Sequence, residues 1–199
     1  MTSIVLATRN KHKIEEIKTI LSDLPLQLLT LNDFPNVPPL KEEGTTFREN
    51  SLQKAEIVYK HTKLPTLADD SGLEVFYLNG RPGVVSARYA GEGATDDANN
   101  QKLLGQMMGV APRRRHAQFR ALLTFLGDGT VETTEGICPG MLAESPRGTN
   151  GFGYDPIFLP DGFSRTYAEL TAAEKNTISH RAKALATMKD ILRRHVTGA

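Results

Sequence analysis

Ala68-Asp69-Asp70-Ser71-Gly72 sets two adjacent carboxylates between two apolar runs. Leu64–Ala68 reads as a short strand leading in, and Leu73–Leu78 as β-favouring chain leading out. Carboxylates at the mouth of a buried strand are costly unless a cation or several donors compensate them. Mg²⁺ is such a cation, a hard ion that takes carboxylate and phosphate oxygens, and strand ends of open α/β sheets are where ligands sit. The same composition also makes a polar turn, in which Asp and Ser cap their own backbone. On these five residues alone, turn and metal site stand level.

Three other stretches carry polar groups at informative spacing. Thr8-Arg9-Asn10-Lys11-His12-Lys13 follows the apolar run Ile4–Ala7 and enters a segment where Ile14, Ile17, Ile20 and Leu21 recur with helical period. A strand, polar turn and helix start make an anion site from free backbone N–H groups and the helix dipole, with Thr8, Asn10 and Lys13 as added donors. A solvated basic helix start fits the same spacing. No Gly-rich phosphate loop of the P-loop kind is present. Further on, Thr46 and Glu49 have capping-box spacing before a helix expected from about Phe47 to His61, with Asn50 and Lys54 on one face. Glu42 stands ahead of that helix, free to help Asp70 hold a metal or to remain a solvated acid. Finally, Gly148–Pro156 places three glycines and two aromatics together, which suits close approach to a base or a plain glycine loop.

These groups need a scaffold, and the chain supplies one. At 199 residues, with 39% hydrophobic and 24% charged content, it is long enough for one domain with a buried core. The net charge of +1 argues against a general affinity for nucleic acid. Cys138 is the one cysteine, which excludes an intrachain disulfide. No signal-like start or membrane-length apolar run is seen, so a cytoplasmic protein with no membrane contact is expected. Leu26–Leu29 reads as a second strand. Asn79-Gly80 and Arg81-Pro82-Gly83 read as turns, and Glu92–Asp97 as a flexible acidic stretch before a helix that Leu103, Leu104, Met107 and Met108 close. Arg113–Arg115 reads as a solvated basic loop. Ala117–Leu126 is expected to be a strand with Phe119, Ala121, Leu123 and Phe125 on one face, turned by Gly127–Thr130 into Val131–Thr134 as an antiparallel addition to the sheet. Pro156–Leu159 follows as another strand. Thr171–Glu174 has capping-box form before Lys175. Ser179-His180-Arg181 opens a last helix with Ile178, Ala182, Leu185, Met188 and Leu192 on one side.

Taken in order, Thr8-x-Asn10-x-x-Lys13, Glu42-x-Gly44-x-Thr46-Phe47-x-Glu49-Asn50 with Lys54, Ala68–Gly72, Ser86–Tyr89, Gly151–Pro156 and Glu174-Lys175-x-x-x-Ser179-His180-Arg181 resemble the ITPase/XTPase family. These are the pyrophosphatases that remove deaminated purine nucleoside triphosphates. Asn150 stands where many members carry glycine, and Ser51 where many carry alanine.

The resemblance implies a mixed α/β fold over residues 1–199, one domain whose long central sheet lies between two lobes with the nucleotide in a cleft. It implies a homodimer that uses Mg²⁺ to cleave ITP, dITP and XTP between the α- and β-phosphates. Asp70 and Lys54 are the implied catalytic residues, and Glu42 and Asp70 the implied metal ligands; Glu43 beside Glu42, and Asp69 beside Asp70, leave each choice open. Implied substrate contacts are Thr8, Arg9, Asn10, Lys11, His12 and Lys13 on the phosphates, with Ser71. Phe152, Gly153, Tyr154, Asp155, Lys175, His180 and Arg181 are implied at the base. The related Maf-like pyrophosphatases would want Ser-Pro-Arg-Arg after the first strand, where this chain has Thr8-Arg9-Asn10-Lys11. An aspartyl-nucleophile phosphatase would want acids there, and none is present. A catalytically silent nucleotide-binding module would have no need of Glu42, Lys54, Asp69 and Asp70 together.

Overall fold

A computed structural model describes residues 2–127 and 129–197. The elements in chain order are β1 (Thr2–Leu6), α1 (Lys11–Ile20), β2 (Leu26–Thr30), α2 (Phe47–Thr62), β3 (Thr66–Val75), β4 (Arg81–Pro82), α3 (Asp96–Gln106), β5 (His116–Gly127), β6 (Thr130–Leu142), β7 (Phe158–Pro160), α4 (Ala172–Ile178) and α5 (His180–Thr197), with short 3₁₀ turns between some of them. Among the described residues the strands form one mixed sheet in the order β2-β1-β3-β5-β6-β7, with β4 paired to β3. β1 runs parallel to β2 and to β3, while β4 on β3 and β7 on β6 are antiparallel. The mixed α/β expectation holds.

The residues group into two compact units. The first contains Met1–Asp70, Ala121–Gly136 and Arg181–Ala199. Its core has two faces, because side chains alternate along a strand. Ile4, Leu6, Leu67, Ala121, Leu123 and Phe125 meet Ile17 of α1 and Ala184, Leu185, Met188 and Leu192 of α5. Val5, Ala7 and Ala68 meet Ala55 and Val58 of α2, with Leu31 and Val37. Covering on both faces explains why Ile4–Ala7 is apolar without a polar alternation. The second unit contains Ser71–Arg120 and Ile137–His180, and its core gathers Leu73, Val75, Leu103, Phe119, Leu142, Ile157, Phe158 and Tyr167.

Several expectations need correcting. The stretch Asp69–Gly72 is neither a turn nor a strand end, since β3 runs unbroken from Thr66 to Val75. Its turn-like composition misleads because the two acids find cations instead of their own backbone. Phe76–Leu78 is a 3₁₀ turn instead of more strand, and Arg81-Pro82 bridges back to β3. Asp96 and Asp97 belong to the first turn of α3, whose cap is Thr95, so the acidic stretch is shorter than expected. β6 continues to Leu142, past Pro139. Ile178 ends α4 and packs in the second unit's core, off the stripe of α5. The expected turn at 127–130 includes Asp128, which lies outside the described residues.

Arg115 overturns the reading of a solvated basic loop. It is 4% exposed and donates to three carbonyls: Leu142 O at 2.9 Å, Met107 O at 2.8 Å and Ala143 O at 2.7 Å. A guanidinium offers five donors in a fixed fork, so one side chain satisfies the carbonyls of two separate chain ends. Replacing it by an apolar residue strands those acceptors. Arg115→Leu is expected to cost about 3 kcal/mol, a fall in Tm of about 6–12 °C for a chain this size. Arg113→Ala, on the exposed neighbour, should stay within about 0.5 kcal/mol. Equal melting temperatures for the two variants would refute the assignment.

Candidate active site

The chemistry-bearing residues of the first unit converge on β3, where adjacent acids take opposite faces. Asp69 follows Leu67 onto the face covered by α1 and α5. Asp70 follows Ala68 onto the face covered by α2. In α1, Lys13, Glu16, Ile17 and Ile20 repeat at three and four residues, so the buried stripe is polar at its start and apolar beyond. The stripe of α5 does the same, from Arg181 through Ala184, Leu185 and Met188. In α2, buried Asn50, Ser51 and Lys54 precede buried Ala55 and Val58. The polar ends of all three helices meet β3 just beyond the carboxyl end of β1, the end at which parallel sheets bind ligands.

Asp69 is 1% exposed and held by two cations. Lys13 Nζ donates to Oδ1 at 2.5 Å and Arg181 Nε to Oδ2 at 2.8 Å. Arg181 Nη1 also donates to Glu16 Oε2. Burial alone would raise the Asp69 pKa, but Arg181 and Lys13 outweigh it and hold the carboxyl well below the usual carboxylate range. Burial likewise works against the Arg181 charge, yet Asp69 and Glu16 push its pKa up. Asp69 is therefore a fixed anion.

Asp70 has the opposite balance. Lys54 Nζ donates to its Oδ1 at 2.6 Å and Asn50 Nδ2 to its Oδ2 at 3.2 Å. Lys54 also donates to Glu42 Oε1 at 2.9 Å. Burial raises the Asp70 pKa beyond what Lys54 and Lys13 can restore, and the charge of Glu42 adds to the rise. Lys54, although buried, is pushed up because it faces two carboxylates, Asp70 and Glu42. One ammonium shared between two acids thus leaves Asp70 readier to take a proton than Asp69. Asn50 links the loop before α2 to this group, accepting from Gly44 N at 2.7 Å. Glu43 is exposed and pairs with Lys41 at 3.3 Å, whereas Glu42 is the glutamate that bonds Lys54.

Among the described residues no group of three or more His, Cys, Asp or Glu gathers that could hold a metal. Mg²⁺ takes one or two carboxylates and completes its shell with water and substrate phosphate. Glu42 and Asp70, two hard oxygen donors at one ammonium, fit that demand.

The start of α1 is built as a capped loop. Thr8 Oγ1 accepts from Asn10 N at 3.1 Å and Asn10 Oδ1 from Lys13 N at 3.2 Å. These two side chains act here as acceptors that shape the turn. Arg9 Nη2 donates to Val37 O at 3.5 Å, while Arg9, Asn10, Lys11 and His12 are exposed around the helix start. Lys13 is already engaged with an anion, Asp69.

The second unit brings together Phe152, Asp155 and Lys175. Asp155 Oδ2 accepts from Lys175 Nζ at 2.6 Å and from Phe152 N at 2.9 Å. Lys175 Nζ lies 4.8 Å from the centre of the Phe152 ring. Phe152 is half-buried, outside the unit's core. Tyr154 is turned inward, its hydroxyl donating to Ser86 O at 2.8 Å, and burial raises its pKa. The Gly153 peptide is bound to Asp96 and Asn100. His180 is buried and stacks on Phe119, with ring centres 4.7 Å apart. Ser71 is half-buried on β3. Sequence reasoning missed Glu16, Asp96 and Asn100. Glu16 was visible as an acid inside an apolar helical stripe, whereas Asp96 and Asn100 carry meaning only through a partner 57 or 53 residues away.

A model of the Ham1 family matches residues 4–191. A dITP/XTP pyrophosphatase of Geobacter sulfurreducens is 50% identical over 193 residues, 96% of this chain and 97% of that protein. A dITP/XTP pyrophosphatase of Streptomyces coelicolor is 49% identical over 196 residues, 97% of this chain and 98% of that protein. Among solved structures, a HAM1 protein from Coxiella burnetii superposes with a TM-score of 0.89 at 42% identity, covering 98% of this chain and 100% of that one.

The two acids should respond oppositely to neutralisation. Asp69→Asn leaves buried Arg181 and Lys13 short of an anion and is expected to cost about 3 kcal/mol or more at pH 7. Asp70→Asn removes a carboxylate whose charge burial already opposes and leaves Lys54 paired with Glu42, so it should stay within about 1 kcal/mol of the parent. Because the folded pKa of Asp69 is lowered, its contribution is complete above the unfolded carboxylate value of about 4 and is lost as pH falls through the folded value. The Asp69→Asn penalty should therefore be flat from pH 8 to 5 and shrink only in stronger acid. Urea midpoints across that range test this, and a larger loss from Asp70→Asn than from Asp69→Asn would contradict it.

Proposed function

The chain belongs to the Ham1 family, and from that premise we propose that it hydrolyses ITP, dITP and XTP to the nucleoside monophosphate and pyrophosphate. The observation that carries the mechanism is the contrast between fixed Asp69 and proton-accepting Asp70 on one strand. A general base works best when its pKa is drawn towards the working pH, and of the two acids only Asp70 is raised. Asp70 takes the proton of a water whose oxygen attacks the α-phosphorus. The new O–P bond forms as the bridging bond to the β-phosphate breaks, and pyrophosphate leaves with the electron pair. Lys54, 2.6 Å from Asp70, meets the negative charge that gathers on the phosphoryl oxygens. Glu42 and Asp70 would hold Mg²⁺, which when bound neutralises phosphate charge and orients water. Thr8, Arg9, Asn10, Lys11, His12 and Lys13, at the start of α1, take the phosphate chain through backbone N–H groups and positive side chains. Ser71 is assigned to the substrate with them.

For the base, Phe152 is assigned as the stacking surface, and Gly153, Tyr154, Asp155, Lys175, His180 and Arg181 are assigned to the same base. Donors at the purine edge meet the 6-carbonyl of hypoxanthine or xanthine, and against the 6-amino group of adenine they would be left unpaired. Sites built to hydrogen-bond a group reject analogues that lack it. Arg181, engaged with Asp69 and Glu16, has its guanidinium plane set before any substrate arrives. The proposal also takes residues 1–199 as one domain of two lobes, acting as a cytoplasmic homodimer on free nucleotides and not on nucleic acid. The motif resemblance supports these last points. No helix among the described residues is long and apolar enough to cross a membrane.

With Mg²⁺, XTP, dITP and ITP should yield monophosphate and pyrophosphate, ATP and GTP should be poor substrates, and EDTA should stop the reaction. Orthophosphate as first product, or equal rates on ATP, would overturn the reading. Asp70→Asn should lower kcat by about 10²–10⁴ while the fold persists. Lys54→Ala should lower kcat more than it raises KM, because its charge acts mainly in the transition state. A Lys54→Ala enzyme with normal kcat and raised KM would make Lys54 a binding residue only.

A further inference from the structure

Resting on the reading of Phe152 as the purine platform, we propose that Asp96 and Asn100 of α3 are positioning residues for nucleobase binding. They hold the Gly153 peptide so that the Phe152 ring stays where a base can stack on it. The loop cannot do this alone. Gly151 and Gly153 flank Phe152 with φ of +75° and +62°, the region glycine enters freely and where it has the most freedom to lose. On one side Phe152 is tied by its own N–H to Asp155. On the other, both polar groups of Gly153 go to α3. Its N–H donates to Asp96 Oδ2 at 2.6 Å, and its carbonyl accepts from Asn100 Nδ2 at 2.8 Å.

Residues four apart share a helix face, so the two side chains reach the peptide groups on either side of Gly153 together. Asn100 is 4% exposed, and its Nδ2 donates also to Asp96 O at 2.9 Å. A flipped amide would set oxygen against two carbonyls, which decides its orientation. Asp96 is not the helix cap, since Thr95 accepts from Ala98 N at 3.2 Å. Its carboxylate therefore serves the loop. Asn99, just before Asn100, donates to Ala87 O at 3.1 Å and accepts from Ala90 N at 2.7 Å, and Tyr154 reaches Ser86 O. The Ser86–Tyr89 motif, which the chemistry leaves unused, thereby anchors the same loop to α3.

The test is a kinetic cycle with XTP and Mg²⁺ on the parent protein, Asp96→Ala, Asp96→Asn, Phe152→Ala and the Asp96→Ala/Phe152→Ala pair. Asp96 is exposed, so its loss leaves the fold standing, and a thermal melt checks that. Asp96→Ala should raise KM about 3- to 10-fold, the scale of one hydrogen bond, with kcat within about twofold. Asp96→Asn keeps an acceptor oxygen and should restore most of the affinity. With Phe152 already removed, Asp96→Ala should add less than about twofold, because it acts through that ring. An undiminished effect without Phe152, or a fall in kcat at constant KM, overturns the positioning role while leaving the platform reading intact. A Phe152→Ala enzyme with unchanged KM overturns the platform reading, and the positioning role with it.

Discussion

A wholly buried carboxylate is tolerable only when cations meet it, and Asp69 makes that demand at the centre of the first unit. Lys13, 56 residues earlier, and Arg181, 112 residues later, answer it. Glu16 then balances the second charge on the same side. Measured against an apolar replacement such a network adds little net stability, because desolvation consumes most of the attraction. Its effect is on register. Sliding α1 or α5 by one turn would leave a buried charge without a partner, at a cost of several kcal/mol. The start of α1 thus inherits its position from an acid on β3.

The neighbouring acid shows why pairing alone does not determine ionisation. Asp70 also touches an ammonium, at 2.6 Å, yet its pKa is raised where that of Asp69 is lowered. The difference is stoichiometric. Asp69 has two cations, and the acid that shares them, Glu16, bonds Arg181. Asp70 must share Lys54 with Glu42. A strand that sends successive side chains to opposite faces lets one dipeptide serve both purposes, one carboxylate locked and one available.

Much of the second unit is tied by side-chain bonds to backbone groups. Arg115 gathers three carbonyls, Ser86 accepts from Leu73 N at 3.0 Å through its hydroxyl, and Tyr154 closes on Ser86. Such bonds tie irregular chain that no strand ladder satisfies, and buried backbone groups need partners wherever they lie. The Phe152 loop is the least regular of these segments and receives the densest ties. Lys175, Asp155, Asp96 and Asn100 all reach it.

Local chemistry made much of this legible in the residues alone. The capping boxes at Thr46 and Thr171, the apolar runs at Ile4 and Ala117, and the convergence of Asn50 with Lys54 depend on neighbours three or four positions away. Their outcome was readable because helix and strand periods are short. The ordered motifs carried the family as well. What the sequence could not decide were the roles of residues whose partners are distant in the chain. Asp69 and Asp70 are chemically identical and adjacent, and only the helices covering each face make one a fixed anion and raise the pKa of the other. Arg115 looks like its exposed neighbours Arg113 and Arg114 until three carbonyls from two chain ends close on it. Asp69–Gly72 has the composition of a turn, yet tertiary cations let the strand run through it. Burial and charge balance are properties of the assembled surroundings, and no window of sequence contains them.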